Sequence, residues 1–260
     1  MIIQKLVKRG IGFNHKNFCQ DYSAIAETNN YTIAGIFDGC SDGIDSHFAS
    51  ALMGKLMVST TNDQRFILDE QNNTAGIKAV ASQFMCKFVA NLSVAYSMLR
   101  LSKKELLSTM VILFIDKRTS EGYIMAFGDG YININGQFKE LKNERFSPDE
   151  NPEADNMPDY IIYDIEKFSD HEYLRFWISE NRSQFYINEV KDVIIGSDGI
   201  FTFKKVNPAL PSDLEPVQFL TEDMWLSDNP SVLSRKCNRL KTAYGYDHED
   251  DLSLIRIINN

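Results

Sequence analysis

Six aspartates of this 260-residue chain fall where apolar runs begin or end. Asp38 follows YTIAGIF, Asp129 follows YIMAFG and Asp198 follows VIIGS. Asp250 and Asp251 immediately precede LSLIRII, and Asp21 opens DYSAIA. A strand end gives such a side chain a rigid base facing a cleft. In Asp38-Gly39, Asp129-Gly130 and Asp198-Gly199 the following glycine has no Cβ, so a metal, water or substrate can approach the main chain there. Clustered carboxylates repel one another unless cations sit between them, and oxygen-only donors suit hard ions such as magnesium or manganese. Each Asp-Gly taken singly is an ordinary turn dipeptide. The order and setting of the whole set carry the reading.

The rest of the chain must position these residues. Strands are predicted at Ile2–Lys8, Asp21–Ala26 and Tyr31–Phe37, then a helix over Ile44–Ser59 with Phe48, Leu52, Leu56 and Met57 on one side. Ser41, Asp42 and Asp45 stand ahead of that helix as candidate N-caps. Thr60–Asn73 is polar and reads as a loop. Thr74–Arg100 reads as a long helix, with Ile77, Val80, Phe84, Phe88, Leu92 and Met98 at helical intervals.

Strand signals return at Thr109–Asp116 and Gly122–Phe127. Tyr131–Asn133 and Gln137–Leu141 flank Asn135-Gly136, a hairpin turn in which both residues tolerate positive φ. Phe146–Asp159, rich in Pro, Asp, Glu and Asn, reads as a surface loop. Further strands are predicted at Tyr160–Ile165, Tyr173–Ile178 and Val193–Gly196. A helix is expected from Asn229-Pro230 to Ala243, stopped by Gly245, before the closing LSLIRII strand. Two strand-rich regions flank a helical pair, which is an α+β pattern rather than strict βαβ alternation.

Hydrophobic residues make up 43% and charged residues 24%, enough for a sizeable core in one large domain or two small ones. The net charge of −9 argues against nonspecific nucleic-acid or anionic-membrane binding, which needs a basic face. Cys19, Cys40, Cys86 and Cys237 form no CxxC pair, so zinc spacing is absent. Met1–Gly10 contains Lys5, Lys8 and Arg9 without a long apolar core, and no apolar run approaches the roughly 18 residues of a membrane span. A soluble chain in a reducing, cytoplasmic setting is expected.

In order along nearly the whole chain, these segments resemble the type 2C (PPM) protein phosphatase family. Gln20-Asp21 resembles its Glu-Asp element, and FDGCSDG its Asp-Gly-His-Gly-Gly segment. Ser108-Thr109 resembles its Ser-Thr element, and Gly128-Asp129-Gly130 its Gly-Asp-Ser. GSDGIF resembles its Ser-Asp-Gly-Leu, and DDLSLI its Asp-Asn-Ile-Thr-Val-Ile. HKNFCQD is similar to a bacterial branch in which a His precedes a Cys-Gln-Asp element.

The resemblance implies one domain over 1–260, with two central antiparallel sheets between helical layers. It implies two manganese or magnesium ions sharing Asp38. One is helped by the Gly39 carbonyl. The second is held by Asp198 and Asp250, with Asp21 acting through a water and Asp251 as the rival to Asp250. Asp129 matches a holder of a third ion. Two ions about 4 Å apart acidify a water for in-line attack on phosphorus. The implied substrate is a phosphoserine- or phosphothreonine-bearing protein, with a cognate serine/threonine kinase as a further partner.

Beside Asp38, the catalytic candidates are Lys16 and His15. Lys16 stands where the family has its phosphate-gripping Arg, and it offers charge without the bidentate fork. Cys40 stands where the family has its proton-donor His, and Ser41 and Asp42 replace glycines. These departures motivate an alternative, a weak or inactive relative that binds a phosphoprotein or scaffolds a partner. A different phosphoester hydrolase with similar carboxylates is a third reading. His248, two residues before Asp250, reads as a loop histidine or a support to the site.

Overall fold

The computed structural model describes residues 3–15, 17–64, 66–67, 76–142, 158–180, 183–210, 213–222 and 230–259. Two five-stranded antiparallel sheets dominate. The first runs β1 (Ile3–Gly10), β12 (Leu252–Asn259), β9 (Asp192–Gly196), β6 (Gly130–Ile134), β7 (Gln137–Leu141). The second runs β2 (Asp21–Glu27), β3 (Tyr31–Gly39), β4 (Ser108–Asp116), β5 (Gly122–Phe127), β8 (Gln184–Ile187). A small ribbon pairs β10 (Phe203–Lys205) with β11 (Tyr246–His248).

Period-two patterning explains the layers. In β4, Met110, Ile112 and Phe114 face one way, into a core shared with helices α1 (Ser46–Thr61) and α2 (Ile77–Met98). Val111, Leu113 and Ile115 face the other way, where they meet Ile132, Ile195, Ile255 and Ile257 of the first sheet. The outer face of the first sheet, with Ile194, Leu252 and Leu254, packs under α4 (Pro216–Thr221) and α5 (Val232–Tyr244). A strand apolar on both faces must be covered on both, and here the result is an α+β, helix–sheet–sheet–helix sandwich. Fully burying one such Ile or Phe contributes about 1.5–3 kcal/mol.

The predicted strands and main helices stand within a few residues of their expected places, with exceptions. Tyr173–Ile178 is not a strand but part of helix α3 (His171–Glu180). Its buried residues, Leu174 and Ile178, recur at i, i+4, and that spacing overrides the aromatic composition. Tyr160–Ile165 is likewise not a strand. Ile161–Asp164 forms a 3₁₀ turn, because Ile161, Ile162 and Ile165 all bury on one side. Strand β8 and the small ribbon lie outside the predicted strands.

Helix α1 starts at Ser46. Asp45 holds the N-cap position without a side-chain cap bond, so Ser41, Asp42 and Asp45 do not cap by side chain as expected. Thr60 and Thr61 close α1 rather than opening a loop. Residues 65 and 68–73 of that predicted loop, and 146–157 of the later one, lie outside the described residues. Ser231 holds the N-cap position of helix α5 without a side-chain cap bond, so Pro230 precedes the helix rather than occupying its first turn; Gly245 ends it in the left-handed region at φ 72°. No described helix is long and apolar enough to cross a membrane.

Candidate metal centre

The aspartates gather where the apolar layer between the sheets runs out. Ala34 and Ile36 of β3 point into that layer, and Asp38 is the next residue on the same face. Asp21 lies directly across from Asp38 in the β2–β3 ladder. From the first sheet, Asp198 follows β9 and Asp250 precedes β12. Asp129 sits in the crossing from β5 to β6, and so from one sheet to the other. Asp38, Gly39, Asp129, Asp198 and Asp250 all line one crevice, together with Gln20, Cys40, Ser41, Thr109, Pro158 and Tyr160.

Burial and mutual repulsion charge this site unfavourably. Asp38 is pushed well above the usual carboxylate range by burial, then by the Asp21 and Asp198 charges. Asp129 is pushed up to about 6 by burial and by Asp198. Burial also raises Asp250. Asp21 is only 2% exposed and sits behind the crevice lining. Burial pushes it up to about 7 against the hydrogen bond that Ser197 Oγ donates to its Oδ2 at 2.7 Å. Among the described residues, its buried Oδ1 has no hydrogen-bond partner.

Among the described residues, no three His, Cys, Asp or Glu side chains form a ready-made cage round one point. The arrangement is instead a chain of near contacts, Asp21 to Asp38 and Asp38 to Asp198. An orphaned buried carboxylate oxygen beside anions that raise one another is the setting a hard cation relieves, and every donor is oxygen, so the residues fit magnesium or manganese.

The glycines act differently from the expectation. A Cβ on Gly39 would stand 2.2 Å from the Ser46 carbonyl oxygen, and one on Gly199 would stand 1.8 Å from that of Asp251. These glycines make room for neighbouring backbone, which locks the strand ends that carry Asp38 and Asp198.

The structure separates the adjacent carboxylates Asp250 and Asp251. Asp250 reaches the crevice, whereas Asp251 is 1% exposed and turned inward. Asp251 Oδ1 accepts the Gly12 N–H at 2.7 Å, and its Oδ2 accepts the Gln20 N–H. His15 stands between the two: Nδ1 is 2.9 Å from Asp251 Oδ2, and Nε2 is 3.6 Å from Asp250 Oδ1. His15 therefore flanks Asp250 rather than lining the crevice itself. Lys16 lies outside the described residues. His248 belongs to β11, not a loop, and its Nδ1 is 2.8 Å from the Asp250 carbonyl oxygen.

Sequence reasoning missed the structural parts played by Asp251 and Ser197, and it missed Tyr160 altogether. Ser197 Oγ, besides donating to Asp21, accepts the Ser253 N–H at 3.0 Å, which links the two sheets beneath the site. Tyr160 had no local signal, because it stood at the edge of a predicted strand.

No protein-family model and no curated protein sequence matches the chain. Solved structures do match. The chain is similar to a bacterial serine phosphatase, with TM-score 0.59 at 13% identity, over 98% of this chain and 97% of that one. It is similar to the catalytic domain of the serine threonine protein phosphatase PstP, solved in complex with two manganese ions, with TM-score 0.53 at 11% identity over 99% of each chain. It is also similar to a structure of the PP2C phosphatase domain and a regulatory fragment of the cell fate determinant SpoIIE from Bacillus subtilis, with TM-score 0.54 at 16% identity. That match takes in 100% of this chain but spans 64% of the SpoIIE chain's length. With two facing antiparallel sheets, helices outside them and the same course over the full chain, this protein has the fold of the bacterial PP2C-type phosphatases.

Proposed function

We propose that the chain hydrolyses phosphoserine and phosphothreonine in proteins, using manganese or magnesium and a water molecule. The observation that carries this reading is the convergence of Asp38, Asp129, Asp198 and Asp250, from both sheets, on one crevice. Asp38, the Gly39 carbonyl, Asp198 and Asp250 would hold the two ions. Asp21 would act through a water, and Asp129 would hold a third ion. The two manganese ions of the similar PstP structure support the choice of metal. When bound, the ions supply an acidified water and offset charge on the phosphoryl oxygens.

The chain's own residues orient the site. Thr202 Oγ1 accepts the Asp250 N–H at 3.1 Å, which fixes the turn that presents Asp250. His15, whose Nε2 lies 3.6 Å from Asp250 Oδ1, would steady that carboxylate. Lys16, its chain neighbour, would meet the phosphate. A phosphoprotein substrate presupposes a serine/threonine kinase that makes it, and four free cysteines suit a reducing cytoplasm.

The test is turnover of a phosphoserine peptide by purified protein with added manganese. Wild type hydrolyses it, and Asp38→Ala and Asp198→Ala abolish the activity. Undiminished activity in either variant overturns the proposal.

A further inference from the structure

Part of the crevice lining is uncharged, and Tyr160 is its most buried aromatic donor, at 4% exposure. Its phenol faces the Cys40 thiol, with Asp129 and Asp38 nearby. A tyrosine phenol has an ordinary pKa of about 10, so near neutral pH it keeps its proton. The residue is also locked in place. Its N–H donates to the Pro158 carbonyl at 2.9 Å, its carbonyl accepts the Tyr163 N–H at 3.1 Å, and the two tyrosine rings meet edge to face at 5.6 Å. The Ser41 hydroxyl, by contrast, is exposed and already donates to the Gln20 side-chain oxygen at 3.0 Å.

In an in-line displacement, the bond from phosphorus to the seryl or threonyl oxygen breaks as the water oxygen bonds to phosphorus. Negative charge grows on the departing oxygen, and ionised carboxylates cannot donate to it. A neutral, fixed O–H can. We propose that the Tyr160 hydroxyl donates a hydrogen bond to the departing seryl or threonyl oxygen. This makes Tyr160 a catalytic residue of the reaction, and the inference rests on the phosphatase reading above. The attacking water gives its oxygen to phosphorus and one proton to the alcohol, so Tyr160 neither gains nor loses a proton overall.

Tyr160→Phe removes only the hydroxyl and keeps the packed ring. Wild type and variant are compared, with manganese, on a phosphoserine peptide and on 4-nitrophenyl phosphate. The aryl leaving group is stable as an anion, whereas the seryl oxygen needs the donor. The expected result is a fall of about 10- to 100-fold in the ratio of peptide kcat to aryl-ester kcat. Any loss of folded protein cancels in that ratio. Manganese uptake by calorimetry and the thermal midpoint should match wild type.

An unchanged ratio overturns the inference, including the case of equal losses on both esters, which marks a structural role or a donor to a phosphoryl oxygen. If wild type turns over neither ester, the phosphatase reading fails and this inference fails with it. If wild type is active and the ratio holds, only the role of Tyr160 fails.

Discussion

Asp251 Oδ2 lies 2.9 Å from His15 Nδ1, which joins the turn before β12 to the loop between β1 and β2. The same carboxylate takes the Gly12 and Gln20 N–H groups. It therefore holds the His15 loop against Asp250 without entering the crevice.

Asp251→Ala should cost about 3 kcal/mol, because it strips partners from two backbone donors and an anion-assisted hydrogen bond is worth about 1.5–3 kcal/mol. Urea unfolding measures the loss. Amide hydrogen exchange at Gly12 and Gln20 should accelerate in the variant, and unchanged exchange there would refute the tie.

Asp38→Asn should uncouple stability from function. Asp38 carries a carboxylate that burial, Asp21 and Asp198 all disfavour. A neutral isostere removes that repulsion. Without added metal the variant should be more stable by about 1 kcal/mol, or roughly 2–4 °C in thermal midpoint, while calorimetry with manganese shows weakened uptake. A variant less stable than wild type without metal would contradict the repulsion argument.

Gly199→Ala should be severe although it adds one methyl group. The new Cβ would stand 1.8 Å from the Asp251 carbonyl oxygen, a backbone atom that cannot swing aside. Overpacking of this kind costs about 1–3 kcal/mol or more, and the shift should disturb Asp198 as well. Chemical unfolding gives the stability change. Wild-type stability in Gly199→Ala would show that this turn can open.

Arg118→Ala should destabilise in a pH-dependent way. Burial alone would raise the Asp116 carboxyl, but Arg118 outweighs it and holds the group below the usual range. Asp116 accepts Arg118 Nη2 at 2.6 Å, Nε at 2.9 Å and the Arg118 N–H at 2.8 Å. A depressed folded pKa stabilises the fold above the unfolded value of about 3.9, and that contribution fades as pH falls through the folded pKa. The half-exposed guanidinium is screened, so the cost near neutral pH should be about 1–2 kcal/mol. Thermal melts should show the gap between variant and wild type closing below about pH 3. A gap that persists there would point to packing instead.

Local sequence carries the period of most elements and the position of each aspartate at a strand edge. Alternation in TMVILFID and the helical spacing of Ile77, Val80, Phe84 and Phe88 depend on neighbouring residues, so they are legible locally. Tertiary structure decided what adjacency leaves open. Asp250 and Asp251 have the same type and setting in sequence, yet one turns to the crevice and the other inward, because Gly12 and Gln20 offer their N–H groups on only one side. Tyr173–Ile178 has strand-like composition but lies within a helix, because Leu174 and Ile178 bury together. Tyr160 joined the crevice only because packing brings its turn against Cys40. Periodicity is set by covalent neighbours, whereas convergence is set by which faces of two sheets meet, and that information is spread over the whole chain.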